Sequence, residues 1–222
     1  MKAPRTVGIY LAAGKSARMG TDKRLLPFAD YSLGSTALQA AVLSSLSHIF
    51  VVVPMEDPLD WMLHELRHHE KCIIIRCASD WGFAHSLRCG LHLAIKLHAE
   101  AAVVVLADQP FITAAMINDL INAYCQHRTD YVAFSSKSRP SPPILFSAAL
   151  FSELLDIYGD EGARQLFRKN SHWNGRLLTA NDMDLFFDID TFVDYETAIR
   201  RWNQKRRVYH DWKERHSQRG LG

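Results

Sequence analysis

Four short apolar runs, each separated from the next by apolar residues at helical spacing, leave this chain few folds to choose from. The runs are Val7–Leu11 (VGIYL), His48–Pro54 (HIFVVVP), Cys72–Arg76 (CIIIR) and Ala101–Ala107 (AAVVVLA). Runs of that length and character read as buried strands. Between them lie an Ala- and Leu-rich stretch, Thr36–Ser47, with Ser35 placed to cap it, and Pro58–His69 with Leu59, Met62, Leu63 and Leu66 on one stripe. A third stripe, Ser86–His98, carries Leu87, Gly90, Leu91, Ala94, Ile95 and Leu97. Strands alternating with amphipathic helices make βαβ units, so an α/β fold is expected, a three-layer doubly wound and mainly parallel sheet. In such sheets ligands gather at the carboxyl ends of the strands. A length of 222 residues, 48% of them hydrophobic, supplies one sizeable core.

The second half reads less regularly. Thr113–His127 is a helix with Met116, Leu120, Ile121 and Tyr124 on one face, and Tyr131–Ser135 is strand-like. Lys137–Pro143 (KSRPSPP) is rich in proline, which removes backbone donors, and a loop is expected there. Ile144–Phe146 is extended, Ser147–Tyr158 helical, Gly175–Thr179 and Asp184–Ile189 are candidate strands, and a helix runs from Asp194 toward Arg215. Residues 1–199 form the expected domain and 200–222 a basic helical tail. Asp211 and Glu214 interrupt the tail's positive charge and no nucleic-acid reader motif is present, so it is expected to be a solvated helix packing Trp202, Val208 and Trp212 onto the domain.

The loop after the first strand carries the strongest chemical signal. Leu11-Ala12-Ala13-Gly14 opens it with small residues, and Arg18 and Lys23 supply two cations. Small residues let backbone N–H groups approach a ligand, and fixed positive charge suits a polyphosphate. A Walker A loop is excluded because Gly14 and Gly20 are six apart and Lys23 does not follow Gly20; a Rossmann glycine fingerprint is also absent. A carboxylate stands where the fourth strand ends, in Leu106-Ala107-Asp108-Gln109-Pro110, and suits a hard cation such as Mg²⁺ or the cap of the next turn. A second acidic turn, Asp188-Ile189-Asp190-Thr191, follows much later.

The ordered pattern L-A-A-G-x-S-x-R-M-G-x-x-K-x-L-L-P, from Leu11 to Pro27, resembles the nucleotide-binding signature of the MobA-like NTP transferases, and within them most the molybdenum cofactor cytidylyltransferases. The resemblance spans about Thr6–Tyr195 and includes L-A-D-Q-P, D-I-D-T, and the G-D-x-G-A-R of Gly159–Arg164. It implies a nucleotidyltransferase fold. It also implies nucleotide contacts from Leu11, Ala12, Ala13, Gly14, Arg18, Lys23, Ser86 and Asp108, with Arg18, Lys23 and Asp108 catalytic. Mg²⁺ would be held by Asp108 and Asp190, and Arg164 and Asp188 would face the acceptor. The implied reaction moves CMP from CTP to molybdopterin carrying molybdenum, with release of pyrophosphate. GTP in place of CTP, a sugar phosphate as acceptor, or a non-catalytic cofactor-binding maturation factor for a xanthine dehydrogenase-like enzyme stay open. A molybdenum hydroxylase apo-enzyme is then an expected partner.

Three departures mark the chain. Tyr31-Ser32-Leu33-Gly34 stands where G-K-P is usual, Arg139–Pro143 lacks the usual Gly-His or Gly-Asn, and Phe192-Val193 replaces Pro-Glu. Without ligand, Asp108 and Asp190 should repel, so the site is expected to be partly formed and to complete itself only with nucleotide and metal. Net charge is +2, so bulk charge does not point to a polyanion partner. Cys72, Cys77, Cys89 and Cys125 form no C-x-x-C pair or zinc spacing and read as ordinary thiols. The N-terminal MKAPRT shows no signal peptide and the longest apolar run is too short for a bilayer, so a soluble, cytoplasmic protein is the expectation.

Overall fold

The computed structural model describes residues 4–14, 18–78, 82–136, 139–157, 167, 172–180 and 182–217. The four apolar runs are strands: β1 (Thr6–Leu11), β4 (Ile49–Pro54), β5 (Cys72–Cys77) and β6 (Ala101–Leu106). Between β1 and β4, a small hairpin of β2 (Pro27–Phe28) and β3 (Tyr31–Ser32) precedes α1 (Leu33–Val42). Then come α2 (His64–Arg67), α3 (Gly82–Lys96), α4 (Ala114–His127), β7 (Tyr131–Ser136), β8 (Arg139–Ser147), α5 (Phe151–Leu155), β9 (Gly175–Thr179) and α6 (Phe192–Ser217).

Seven strands make one sheet in the order β5-β4-β1-β6-β8-β7-β9. All neighbours are parallel except β8, which runs antiparallel to both β6 and β7. The chain walks outward from β1 through β4 to β5, then returns to lay β6 on the other side of β1. That reversal opens a crevice beyond the carboxyl ends of β1 and β6. Every residue of β1 is buried, as a strand covered on both faces requires. Tyr10 faces a core with Leu38, Ala41, Leu120 and Ile117, from α1 and α4. Ile9 and Leu11 face the opposite core with Leu87, Leu91 and Leu154, from α3 and α5. Two helical layers therefore sandwich the sheet. Close approach fixes where α3 lies: a Cβ on Gly90 would stand 2.5 Å from Cγ2 of Ile9.

Several elements differ from the sequence expectation. The first helix is capped by Ser32, whose side chain accepts from Ser35 N–H, so it starts earlier than Thr36. Only His64–Arg67 is helical within Pro58–His69. Arg139–Pro143 is strand, not loop. Its prolines are tolerated because β6 pairs only with the later residues Ile144–Ser147, leaving the proline segment with one neighbour, β7, and a register shift at Ala133/Phe134. Ser147–Tyr158 is helical only in part, through a 3₁₀ turn at Ala148–Leu150 and α5. Asp184–Ile189 is not a strand; Met183–Phe186 forms a 3₁₀ turn with Asp182 as its cap. The final helix begins at Phe192 and runs unbroken to Ser217. Trp202 packs between Phe28 and Phe111, at ring distances of 5.6 and 6.5 Å; the side chains of Val208 and Trp212 lie outside the described residues.

Candidate active site at the strand switch point

Backbone bonds tie the end of β1 to both flanking strands. Ala12 N–H donates to Val52 of β4 at 2.9 Å, and Ala107 N–H, just past β6, donates to Leu11 at 3.2 Å. The Leu11–Gly14 turn and Asp108 therefore share one edge of the sheet. Among the described residues, a Cβ on Gly14 would meet nothing within 4 Å. The chain re-enters with Gly20 at φ +64, a left-handed turn that suits glycine, and Asp22 then caps a 3₁₀ turn, Lys23–Leu25.

That turn aims Lys23 into the crevice. Its Nζ donates to Asp108 Oδ2 at 2.9 Å, to the carbonyl of Ile189 at 2.7 Å and to Asp190 Oδ1 at 3.4 Å. Arg18 Nη1 donates to Asp190 Oδ2 at 3.0 Å. The structure thus brings Arg18, Lys23, Asp108 and Asp190, up to 172 residues apart in sequence, to one place. The Lys23 ammonium, bonded to both carboxylates, offsets the repulsion expected between them. With Lys23 only 12% exposed, its attraction to them is screened less than that of the exposed Arg18.

The two acidic turns are also fastened to each other. Ile189 N–H donates to the Asp108 carbonyl at 3.0 Å, and Gln109 Nε2 donates to Asp188 Oδ1 at 2.8 Å. Phe111 and Ile189 bury their side chains in a small third core with Met19, Phe28, Leu33 and Ala198. Past Asp190, Thr191 and Asp194 form a reciprocal cap on α6: Thr191 Oγ1 and N–H each donate to Asp194 Oδ2 at 2.8 Å, and Asp194 N–H donates to Thr191 Oγ1 at 3.2 Å. Asp190 N–H donates to the same carboxylate at 3.2 Å. The Thr191 hydroxyl, together with these amides, holds the Asp194 carboxyl below its usual range.

Residues that the sequence reading passed over support the floor. Arg24 is 9% exposed while its neighbour Leu25 is 49% exposed, the reverse of what their chemistry suggests. Burial alone would strip the Arg24 proton more easily, but the carboxylates of Asp22 and Asp57 more than reverse this and hold it. Burial likewise opposes ionisation of Asp22, and the Arg24 fork outweighs it, so Asp22 ionises more readily than usual. Asp57 is buried and also accepts from Trp61 Nε1 at 3.3 Å. A charge flanked by Lys23 and a pair of leucines was the available signal for Arg24; nothing local marks Asp57.

The start of α3 needs correction. The helix starts at Gly82, a turn earlier than expected, so the Ser86 amide lies inside α3 and is not a free N-terminal donor. Its hydroxyl is buried and donates back to the Gly82 carbonyl at 3.4 Å. Asp188 faces Gln109. Arg164, with Gly159–Ala163, and Lys15–Ala17 lie outside the described residues.

The donor set suits a hard cation. Asp108 Oδ1 is buried with no hydrogen-bond partner among the described residues, and Asp190 brings a second carboxylate to the ammonium that Asp108 Oδ2 accepts from. Among the described residues no group of three or more His, Cys, Asp or Glu is placed to hold a metal ion by itself. Mg²⁺ commonly takes one or two protein carboxylates and completes its shell with phosphate and water. No helix among the described residues is long and apolar enough to cross a membrane.

Comparison with known proteins adds lineage to geometry. The model of a family described as "MobA-like NTP transferase domain" matches residues 8–174. The purine catabolism protein PucB of Bacillus subtilis (strain 168) is 33% identical over 205 residues, covering 90% of this chain and 98% of PucB. Nicotine blue oxidoreductase of Paenarthrobacter nicotinovorans is 25% identical over 198 residues, covering 85% of this chain and 93% of that protein. A crystal structure of Rv0371C in complex with manganese, from Mycobacterium tuberculosis H37Rv, shares the fold with a TM-score of 0.70 at 22% identity, covering 88% of this chain and 98% of that one.

Proposed function

Because this chain belongs to the MobA-like NTP transferase family, we propose that it is a cytidylyltransferase, moving CMP from CTP onto the terminal phosphate of molybdopterin carrying molybdenum and releasing pyrophosphate. The observation that carries this reading is the position of the Lys23 ammonium, within 3.4 Å of both Asp108 and Asp190 at the switch point of the sheet. Cations there would meet a triphosphate laid against the Ala12–Gly14 turn. The acceptor phosphate oxygen forms a new bond to the α-phosphorus as the bond to the β-phosphate bridge breaks, and pyrophosphate leaves. A phosphate monoester is largely dianionic at neutral pH, its second pKa being about 6, so no side chain need remove a proton.

Lys23 and Arg18 would hold the β- and γ-phosphates and balance charge on the leaving pyrophosphate. Asp108 and Asp190 would hold a divalent cation, Mg²⁺ in this reading, and the manganese bound by Rv0371C supports a divalent ion. That ion supplies charge neutralisation at the phosphate oxygens. The peptide edges of Leu11, Ala12, Ala13 and Gly14 would contact the nucleotide, and Arg164 and Asp188 the acceptor. Residues 200–222 would be a basic tail, and a molybdenum hydroxylase apo-enzyme the client.

Binding of CTP, GTP, ATP and UTP, each with Mg²⁺, followed by pyrophosphate release with molybdopterin, tests this. CTP should bind best and release pyrophosphate only with the acceptor. Preferred GTP would move the reading to a guanylyltransferase, turnover only with a sugar phosphate would move the acceptor, and binding of molybdopterin without any pyrophosphate release would leave a maturation factor.

A further inference from the structure

The geometry points to Arg24 as the positioning residue that sets the direction of the peptide between Ala12 and Ala13, and through it the nucleotide-facing turn. The inference rests on the reading that this turn takes a nucleoside triphosphate. Arg24 sits beside Lys23 in sequence but turns the other way, under the loop. Its Nη1 donates to the Ala12 carbonyl at 2.6 Å and also to Asp57 Oδ2. Its Nε and Nη2 fork onto the two oxygens of Asp22, at 2.9 and 2.7 Å. The guanidinium lies over the Trp61 ring, 5.4 Å from its centroid.

Each contact closes off a direction of movement. Asp22 fixes the guanidinium from the 3₁₀ turn that carries Lys23. Asp57 fixes it from the turn after β4 and is itself held by Leu59 N–H at 2.7 Å. With the plane fixed, one N–H is left on the Ala12 carbonyl. In a trans peptide the carbonyl and the following N–H point in opposite directions. Holding Ala12 C=O toward Arg24 therefore turns Ala13 N–H away from it, on the far side of the peptide from β4. Among the described residues, Ala13 N–H has no hydrogen-bond acceptor, although Ala13 is only 5% exposed. A buried, unsatisfied donor beside Gly14, where a Cβ would meet none of the described residues within 4 Å, suits an anionic or carbonyl oxygen of the nucleotide. Arg24 thus links the peptide edge to Lys23, so that both halves of the loop are set by one buried side chain. Lysine cannot substitute, because a single ammonium cannot make the fork and hold the carbonyl in one plane.

Isothermal titration with CTP and the other triphosphates, Mg²⁺ present and well below the melting temperature, tests this on wild type, Arg24→Lys, Asp22→Asn and Leu154→Ala. Leu154 is a buried residue of α5 that makes no bond to Arg24, Asp22 or Asp57, and its truncation controls for lost stability. Arg24→Lys should weaken triphosphate affinity about tenfold or more. Asp22→Asn, which keeps Arg24 but turns one prong of the fork into a clash of donors, should weaken it less, and it carries the test if Arg24→Lys does not fold. Leu154→Ala should lower the melting temperature with unchanged affinity. Unchanged affinity in Arg24→Lys, or in Asp22→Asn if that is the folded variant, overturns the role of Arg24 while the functional reading stands. An equal loss in Leu154→Ala overturns it too, by making the effect one of stability. Wild type that binds no triphosphate overturns the functional reading and this role with it.

Discussion

Lys23 Nζ lies 2.9 Å from Asp108 Oδ2, and it also reaches Asp190, so one ammonium bridges two carboxylates that lie far apart in the chain. Removing it should have two opposed effects. Lys23→Met keeps the stem's bulk and leaves the two carboxylates facing each other with only Arg18 as counter-charge. Triphosphate affinity should fall about tenfold or more, while binding of Mn²⁺ without nucleotide should tighten, because a divalent cation gains the site the ammonium held. Mn²⁺ titration followed by electron paramagnetic resonance reads the second effect. Equal Mn²⁺ affinity in wild type and Lys23→Met would show that the two carboxylates are not the ion's ligands.

Asp108→Asn and Asp190→Asn should abolish transfer yet leave much of the triphosphate binding, since the Ala12–Gly14 turn, Arg18 and Lys23 remain. Asp188→Asn should cost less, because Asp188 accepts from Gln109 at the edge of the cluster. Steady-state pyrophosphate release beside titration of the nucleotide separates the two quantities. Full activity in Asp108→Asn would remove that carboxylate from the mechanism.

The parallel half of the sheet is legible in the sequence because its strands are uninterrupted apolar runs, and burial on two faces leaves such runs few alternatives. The site's outline is legible for a different reason: small residues and two cations follow β1, an acidic turn follows β6, and a parallel sheet gathers those strand ends on one edge, whereas the second acidic turn follows a 3₁₀ turn and is brought in by its bonds to Asp108 and Gln109. What escaped depends on long-range pairing. Arg139–Pro143 reads as a loop until β6 is seen to stop short of it. Arg24 reads as a surface charge, since no pattern of alternation foretells that a 3₁₀ turn puts Leu25 outside and the guanidinium under the Ala12 carbonyl. Ser86 reads as a helix start because Trp81-Gly82 hides the earlier entry into α3.

Gly90 gives a stability test independent of chemistry. A methyl group there would stand 2.5, 3.2 and 3.3 Å from three side-chain carbons of Ile9, in the strand that ends at the Leu11–Gly14 turn. Neither β1 nor α3 has room to yield, each being packed on its buried side. Gly90→Ala should therefore destabilise the fold by about 1–3 kcal/mol despite the better helix propensity of alanine. Urea unfolding measures it, and a neutral or stabilising result would place α3 farther from β1 than 2.5 Å contacts allow.

Acid should loosen the elements that hold Asp190 and Lys23 in place. Among the described residues, three carboxylates have folded-state values below the usual 3.8: Asp182, through Lys205; Asp194, through the Thr191 hydroxyl; and Asp22, where the Arg24 fork overcomes burial. The unfolded chain takes up protons at these groups first as pH falls, so it binds more protons than the native state across that window. Their stabilisation is complete above about pH 4 and is lost as pH drops through the depressed folded values. The urea midpoint should thus be steady near neutrality and decline below about pH 4. Asp194→Asn should lower the midpoint at pH 7 and flatten the decline, because an amide cannot hold the Thr191 cap with the same charge-assisted bonds. Helix α6 and the Asp190 turn should fray first, visible as faster amide exchange at Thr191–Asp194 in acid. An acid decline of the same steepness in Asp194→Asn and wild type would mean that the Thr191–Asp194 cap contributes nothing to the pH dependence.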